Sequence, residues 1–112
     1  MAEILDKMQA ADVIVVASPV YFYSIDAQMK AVIDRSEARW INIHNKGFYY
    51  IMTAAEDSDT VLDCTLECFR GFAACLDGAK EMGVIEGKGV YEVGTIRATR
   101  YMQEPYEMSK NV

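Results

Sequence analysis

The sequence is short of the residues that build several kinds of functional site. It has one histidine and two prolines, and no apolar run approaches the roughly 20 residues of a membrane-spanning helix. Its 11 basic residues are outnumbered by 17 acidic ones, and a net charge of −6 argues against the basic surface that nucleic-acid binding needs. The N-terminal stretch is too polar for a secretory signal peptide. These absences predict a cytoplasmic protein that binds neither nucleic acid nor a membrane.

Cysteine is also too sparse for a disulfide framework or a metal cluster. Cys64, Cys68 and Cys75 form no C-x-x-C pair, and their spacings of four and seven place them on one face of a helix. Disulfide geometry is rare along such a face. The single histidine, His44, is distant in sequence, so a metal site would lack ligands. We expect no metal site, and three small buried apolar side chains in a reducing compartment.

What remains is the composition of one ordinary globular domain. Hydrophobic residues make up 52% of the 112 residues and charged residues 25%, which is typical of a soluble protein. The length is enough for a single core, although it is small for an α/β sheet. With no repeats or linkers, residues 1–112 are interpreted as one domain.

Apolar periodicity alternates between helix and strand along the chain. Val13–Ala17 and Phe48–Thr53 are rich in β-branched and aromatic residues, and the first resembles a strand covered on both faces. A third strand is expected within Glu81–Val93, where glycines and charges are typical of a sheet edge. Strict alternation with helices predicts parallel βαβ units with right-handed crossovers. The pattern therefore indicates an α/β fold with about three strands.

Four helices are expected between and around these strands. The third has two adjoining apolar stripes, wider than one sheet face normally covers, and a turn containing Asp57, Ser58 and Asp59 is expected to cap it. Pro105 is expected to break the last helix or to start its final turn. The predicted segments are the first dozen residues, a helix capped by Ser24 or Asp26, Thr60–Leu76, and a polar helix within Arg97–Lys110.

Two loops would share the carboxyl edge of the predicted sheet, where ligands of open parallel sheets bind. One is the aromatic segment Ser18–Ser24 after the first strand, and the other is Thr53–Glu56 after the second. An aromatic loop with free backbone groups suits a planar heteroaromatic ligand, because the ring stacks while amides bind its edge. The alternative is that Tyr21, Phe22 and Tyr23 simply pack against the neighbouring helix.

The stretch ASPVYFYSIDAQMKAVIDR closely resembles the NADPH-dependent FMN reductase family of flavodoxin-like proteins, including its iron–sulfur flavoprotein relatives. The family shows an apolar strand, then S-P-V-Y-[FW], then a helix with K-x-x-[IL]-D-R. The resemblance continues through the strand ending in TAA, the segment GVIEGKGVYEVGTI and the closing EPYEMSKNV. It implies a flavodoxin-like three-layer parallel sheet, truncated to about three strands that follow one another in sequence order. The helix motif is matched by Lys30, Ile33, Asp34 and Arg35.

The resemblance also implies where a cofactor would bind. In that family the loop after this strand touches the flavin ring, and the loop after the next strand approaches it. FMN would carry the hydride chemistry with NAD(P)H as electron donor, so no side chain is expected to act as a catalytic acid or base. Lys30 and Asp34 are interpreted as a local ion pair. The implied cofactor-binding residues are Ser18, Pro19, Val20, Tyr21, Phe22, Thr53, Ala54, Ala55 and Glu56.

A complete member of that family begins with a strand, a Gly/Ser-rich loop such as G-S-P-R, a helix and a second strand. The loop and the helix N-terminus bind the FMN phosphate, and the sequence has no equivalent, since Gly87-Lys88-Gly89 is too short and lies on the wrong strand. Two functions stay open. The chain is an FMN reductase-like oxidoreductase whose flavin site is completed by another chain or an upstream segment, or it is a truncated, non-catalytic domain that only self-associates.

Self-association is expected in either case. Without the family's first two strands, Val13–Ala17 becomes a bare apolar edge, which is a template for pairing with another chain. In the family's topology three helices share one sheet face, and the polar C-terminal helix alone faces the other. Apolar sheet surface is then left over, and we expect an obligate homodimer or a higher homo-oligomer.

Overall fold

The computed structural model describes residues 1–112 and contains three strands and four α-helices. The strands are β1 (Val13–Pro19), β2 (Gly47–Thr53) and β3 (Lys80–Gly87). The α-helices are α1 (Ala2–Ala10), α2 (Ala27–Arg35), α3 (Asp63–Ala74) and α4 (Gln103–Ser109). Short 3₁₀ segments span Ser36–Asn42, Thr95–Ala98 and Arg100–Met102. None of these helices has the length and hydropathy needed to cross a membrane.

The strands form one parallel sheet in the order β1-β2-β3. At their carboxyl ends Pro19 pairs with Thr53, and Thr53 pairs with Gly87, so all three strands end at the same edge. This confirms the predicted α/β fold with three parallel strands in sequence order. It also brings together the two loops that the sequence suggested as a ligand site.

The main core lies on one face of the sheet, beneath the first three helices. Phe48, Tyr50 and Met52 of β2 point into it and are at most 1% exposed. The Tyr50 ring stacks on Phe69 of α3 with a centroid separation of 5.5 Å. A buried lysine, Lys46, caps the C-terminal end of α1. Its Nζ donates to the carbonyl oxygens of Gln9 and Ala11 at 2.8 and 2.6 Å.

The opposite face of the sheet is only partly covered. Met108 of α4 packs over β3, where Gly83 leaves room for its sulfur. On β1, however, Val15 is 57% exposed and Ala17 is exposed as well. The composition of Val13–Ala17 is typical of a strand covered on both faces, but here one face is open, and apolar sheet surface is left over as the family's topology implied. Alternate residues of the strand point to opposite faces, and only the even-numbered ones meet helices.

Helix α3 is shorter than predicted and differently oriented. It begins at Asp63 after a turn, without a side-chain cap, so the turn at residues 57–59 does not cap it. The prediction of three buried cysteines is wrong, since Cys64 and Cys75 are exposed and Cys68 is half-buried. The other apolar stripe of α3 packs in the core, and the cysteines lie at the side of the helix. The buried stripe comprises Leu62, Leu66, Phe69, Ala73 and Leu76.

The remaining helix predictions are mostly confirmed. Asp26 caps α2, because its Oδ1 accepts a hydrogen bond from the Met29 N–H at 2.6 Å. The chain then continues as a 3₁₀ segment with a kink at Arg39. The expected polar C-terminal helix is present as α4, with Pro105 in its first turn, where proline costs no helical hydrogen bond.

Candidate functional site

The first loop of the candidate site is a tight two-residue turn at the end of β1. Tyr21 N–H donates to Ser24 O at 3.0 Å, and Ser24 N–H donates to Tyr21 O at 3.1 Å. The central residues, Phe22 and Tyr23, have φ angles of 50° and 63°. This left-handed conformation normally selects glycine or asparagine, so two aromatic residues hold it under strain. Strain of this kind concentrates at functional sites.

Ser18 shapes this loop from the inside. Its side chain is 4% exposed, and its Oγ accepts the Asp26 N–H at 2.9 Å and donates to Pro19 O at 2.7 Å. The hydroxyl thereby joins the end of β1 to the cap of α2. The backbone and ring of Pro19 remain at the rim, whereas the Ser18 hydroxyl is engaged within the chain.

The second loop, after β2, carries backbone amides with no partner in the chain. Ala54 N–H donates to Gly87 O at 2.8 Å, and Gly89 N–H donates to Glu56 O at 3.2 Å, which fixes the loop against the segment after β3. The N–H groups of Ala55, Glu56 and Asp57 make no hydrogen bond, and neither do those of the first turn's two central residues. All five residues are exposed, so these amides are open to water or to a ligand.

A side-chain hydrogen bond joins the two loops. Tyr23 Oη donates to Glu56 Oε2 at 3.0 Å. This hydrogen bond, helped by the negative charge of the carboxylate, raises the pKa of the Tyr23 phenol above its ordinary value. The tyrosine therefore stays protonated and keeps donating throughout the physiological pH range. The pair fixes the spacing between the loops and has no arrangement suited to acid–base catalysis.

Between the loops lies a cleft of about 260 Å³ with mainly apolar walls. It unites five of the nine predicted site residues, while Ser18, Pro19 and Thr53 line a second hollow of about 210 Å³ beside the edge of β1. Tyr21 stands outside both and is 62% exposed. Tyr23 and Val61 also line the cleft but were not among the predicted site residues. The aromatic run at residues 21–23 could have indicated Tyr23. The cleft is lined by Val20, Phe22, Tyr23, Ala54, Ala55, Glu56 and Val61.

The aromatic side chains of the first loop do not pack against α2. Phe22 is fully exposed, and Tyr23 is 50% exposed. The alternative that these rings only fill space beside the helix is therefore not what the structure shows. An apolar cleft with exposed rings on one side and free amides on the other can hold one end of a planar heteroaromatic molecule.

The same rim offers no cradle for a phosphate group. Helix N-termini attract anions through their free amides and dipole. At α2 that position is occupied by the Asp26 carboxylate, and α3 begins with Asp63. No group of His, Cys, Asp or Glu could hold a metal ion either. Lys30 and Asp34 form the expected ion pair at 2.6 Å on the exposed side of α2. The residues present thus fit the ring of a flavin and not its phosphate.

The chain is similar to known proteins in sequence and in fold. An iron-sulfur flavoprotein from Methanosarcina thermophila is 58% identical over 36 residues, which is 32% of this chain and 19% of that protein. The matching stretch thus spans about a fifth of the curated relative. The Trp repressor binding protein from Bacillus subtilis has a similar fold, with a TM-score of 0.83 and 15% identity over 99% of this chain and 76% of that one.

A second solved structure, the apo form of an NADH:FMN oxidoreductase, has a TM-score of 0.73 and 15% identity over 98% of this chain and 56% of that one. At these identities the two structures establish the flavodoxin-like fold alone. The family model described as NADPH-dependent FMN reductase matches residues 1–63, which is just over half of the chain. The resemblance seen in the sequence is thereby confirmed, and the chain belongs to the NADPH-dependent FMN reductase family.

Proposed function

We propose that the chain is a flavin-dependent oxidoreductase of the NAD(P)H-dependent FMN reductase type. In this proposal its two loops hold the flavin ring, and another chain or an upstream segment holds the phosphate. The observation that carries the proposal is the set of unpaired amides around the apolar cleft between the loops. Family membership and the flavoprotein relative support it.

Each loop would have a distinct task in binding the ring. FMN, when bound, supplies the hydride chemistry between NAD(P)H and an acceptor. Phe22 and Tyr21 offer exposed ring faces on which a flat ligand can stack. The amides of Ala55, Glu56 and Asp57 can donate to oxygen and nitrogen atoms at the ligand's edge. The Tyr23–Glu56 hydrogen bond would hold the stacking surface and the amides at a fixed separation.

The phosphate requires donors that these residues do not supply. Acidic side chains occupy the N-termini of α2 and α3, and repulsion would keep a phosphate dianion away from them. A Gly/Ser-rich loop beside the free edge of β1, delivered by another segment or chain, would place amides next to Pro19. Full affinity for FMN would depend on that addition.

The lack of a phosphate site favours a second candidate, a non-catalytic domain that keeps the fold and self-associates. A ring site without a phosphate site would bind flavin weakly, because the contacts to the phosphate are missing. The two candidates differ in whether this chain recognises a flavin ring at all, and that difference can be measured directly.

The test is a titration of the purified chain with FMN and with riboflavin, followed by quenching of flavin fluorescence. The two ligands share a ring and differ in the phosphate. We expect both to bind, with dissociation constants within about a factor of three, because this chain makes no phosphate contact. If neither FMN nor riboflavin fluorescence is quenched, the non-catalytic domain is favoured.

Variants locate the binding. Pro19→Ala combined with Tyr21→Ala should weaken both ligands about tenfold or more, since together they remove ring contacts at the first loop. Tyr106→Ala is the matched control, because it removes a similarly exposed tyrosine from α4 on the opposite face. Tight FMN uptake that the double variant leaves unchanged would contradict the proposed site.

A further inference from the structure

Two polar side chains, those of Tyr23 and Glu56, line the cleft between the two loops. The Tyr23 hydroxyl donates to Glu56 Oε2 at 3.0 Å, whereas Glu56 Oε1 makes no hydrogen bond in the chain. No ion pair includes Glu56 either. A carboxylate can accept about four hydrogen bonds, and this one accepts a single bond from the chain. Most of its capacity to accept from a ligand is therefore free.

The backbone of the second loop offers mainly donors. The carbonyl oxygens of Thr53, Ala54 and Glu56 already accept backbone N–H groups at 2.8, 3.1 and 3.2 Å. The N–H groups of Ala55, Glu56 and Asp57, by contrast, have no partner in the chain. The Glu56 carboxylate is the one charged acceptor that lines the cleft. The loop thus combines a carboxylate acceptor with three successive amide donors.

This combination is complementary to one edge of an isoalloxazine ring. The pyrimidine part of that ring contains a cyclic imide, in which the N3–H group lies between two carbonyl oxygens. The carbonyl oxygens require donors, and the N3–H group requires an acceptor. Amide donors alone would leave the imide proton without a partner, which costs binding free energy. A hydrogen bond from N3–H to a carboxylate is charge-assisted and therefore stronger than one to a neutral acceptor.

We propose that the Glu56 carboxylate accepts the imide N–H of a bound flavin and thereby selects rings whose imide nitrogen is unsubstituted. This inference rests on the proposed function, and it gives Glu56 the part of a specificity-determining residue at the same site. Tyr23 is then a positioning residue, because its hydroxyl holds the other oxygen of the carboxylate. A ring methylated at N3 cannot donate, and it brings an apolar methyl group against a charged oxygen.

The experiment compares riboflavin with 3-methylriboflavin in fluorescence-quenching titrations of the purified chain. The two ligands differ only in the imide proton. We expect the wild-type chain to bind riboflavin about tenfold or more tightly than the methylated ligand. Glu56→Met keeps the length of the side chain without a strong acceptor, so riboflavin should bind it only as weakly as the methylated ligand does, within about a factor of two. Glu56→Gln retains a carbonyl acceptor and should keep a preference of about threefold.

Two control variants separate this role from other effects. Tyr23→Phe breaks the hydrogen bond between the loops but leaves the carboxylate, so both ligands should weaken by a similar factor and the preference for riboflavin should remain. Asp59→Ala removes a nearby negative charge that does not line the cleft, and the preference should again remain.

The outcomes distinguish this inference from the proposed function. Riboflavin bound with no preference over 3-methylriboflavin would overturn the role of Glu56 and leave the flavin site standing. A preference that persists in Glu56→Met would do the same, because it would show that the methyl group is excluded by its size. If the wild-type chain binds no riboflavin at all, the proposed function and this inference are both wrong.

Discussion

Replacing Phe22 with glycine should make the protein more stable. Phe22 sits in the left-handed region with a φ of 50°, and its side chain is fully exposed, so the change removes strain without removing packing. A left-handed conformation costs a non-glycine residue about 1–2 kcal/mol. Glycine gives back about 0.4–1 kcal/mol through the greater freedom of the unfolded chain. The free energy of unfolding should therefore rise by about 0.5–1 kcal/mol.

Urea denaturation followed by circular dichroism measures this change. For a slope of about 1.5 kcal/mol per molar, the midpoint should rise by about 0.3–0.7 M. Phe22→Ala is the matched control, because it removes the same ring but keeps the Cβ atom that causes the strain, and its midpoint should stay near that of wild type. Both variants lose the stacking ring and should weaken flavin binding equally. A glycine variant no more stable than the alanine variant would refute strain at this turn.

Three further changes test other contacts. Tyr23→Phe removes the hydroxyl that donates to Glu56; stability should hardly change, while the flavin dissociation constant should rise about threefold in a fluorescence titration. Lys46→Met leaves two partly buried carbonyl oxygens at the end of α1 without this donor, and urea unfolding should show a loss of about 1–2 kcal/mol. Arg70 donates two hydrogen bonds to Glu81 and thereby lowers the pKa of that carboxyl below its ordinary value of 4.5. The stabilisation by the Arg70–Glu81 pair is therefore complete above pH 4.5, and it is lost as the pH falls through the lowered pKa. Arg70→Gln should therefore show a weaker loss of stability in acid than wild type.

The sheet could be predicted from the sequence because each strand carries its own local signal. The β-branched run of β1 and the aromatic run of β2 each indicate a strand, and Asp26 has a side chain suited to a helix cap. The alternation of strands and helices then fixed parallel pairing. The resemblance to a known family added the strand order and the two loops.

The features that could not be predicted depend on contacts distant in sequence. The turn at Phe22 and Tyr23 lacks the Asn-Gly or Asp-Gly pair that marks such turns, so local chemistry argued against it. The prediction that Cys64 and Cys75 are buried was wrong because α3 has two apolar stripes, and only packing against the sheet decides which of them faces the core. The exposure of Val15 depends on where α4 lies; the composition of β1 indicated a strand covered on both faces, and only the resemblance to the family predicted that apolar sheet surface would be left over.

The central claim is that the two loops at the carboxyl edge recognise a flavin ring. The most direct measurement is a map of backbone amide chemical shifts as riboflavin is added to the ¹⁵N-labelled chain. The account predicts the largest changes at Phe22, Tyr23, Ala55, Glu56 and Asp57, whose N–H groups have no partner in the chain. Shifts confined to the larger cleft between the sheet and α4, around Val15 and Met108, would contradict it.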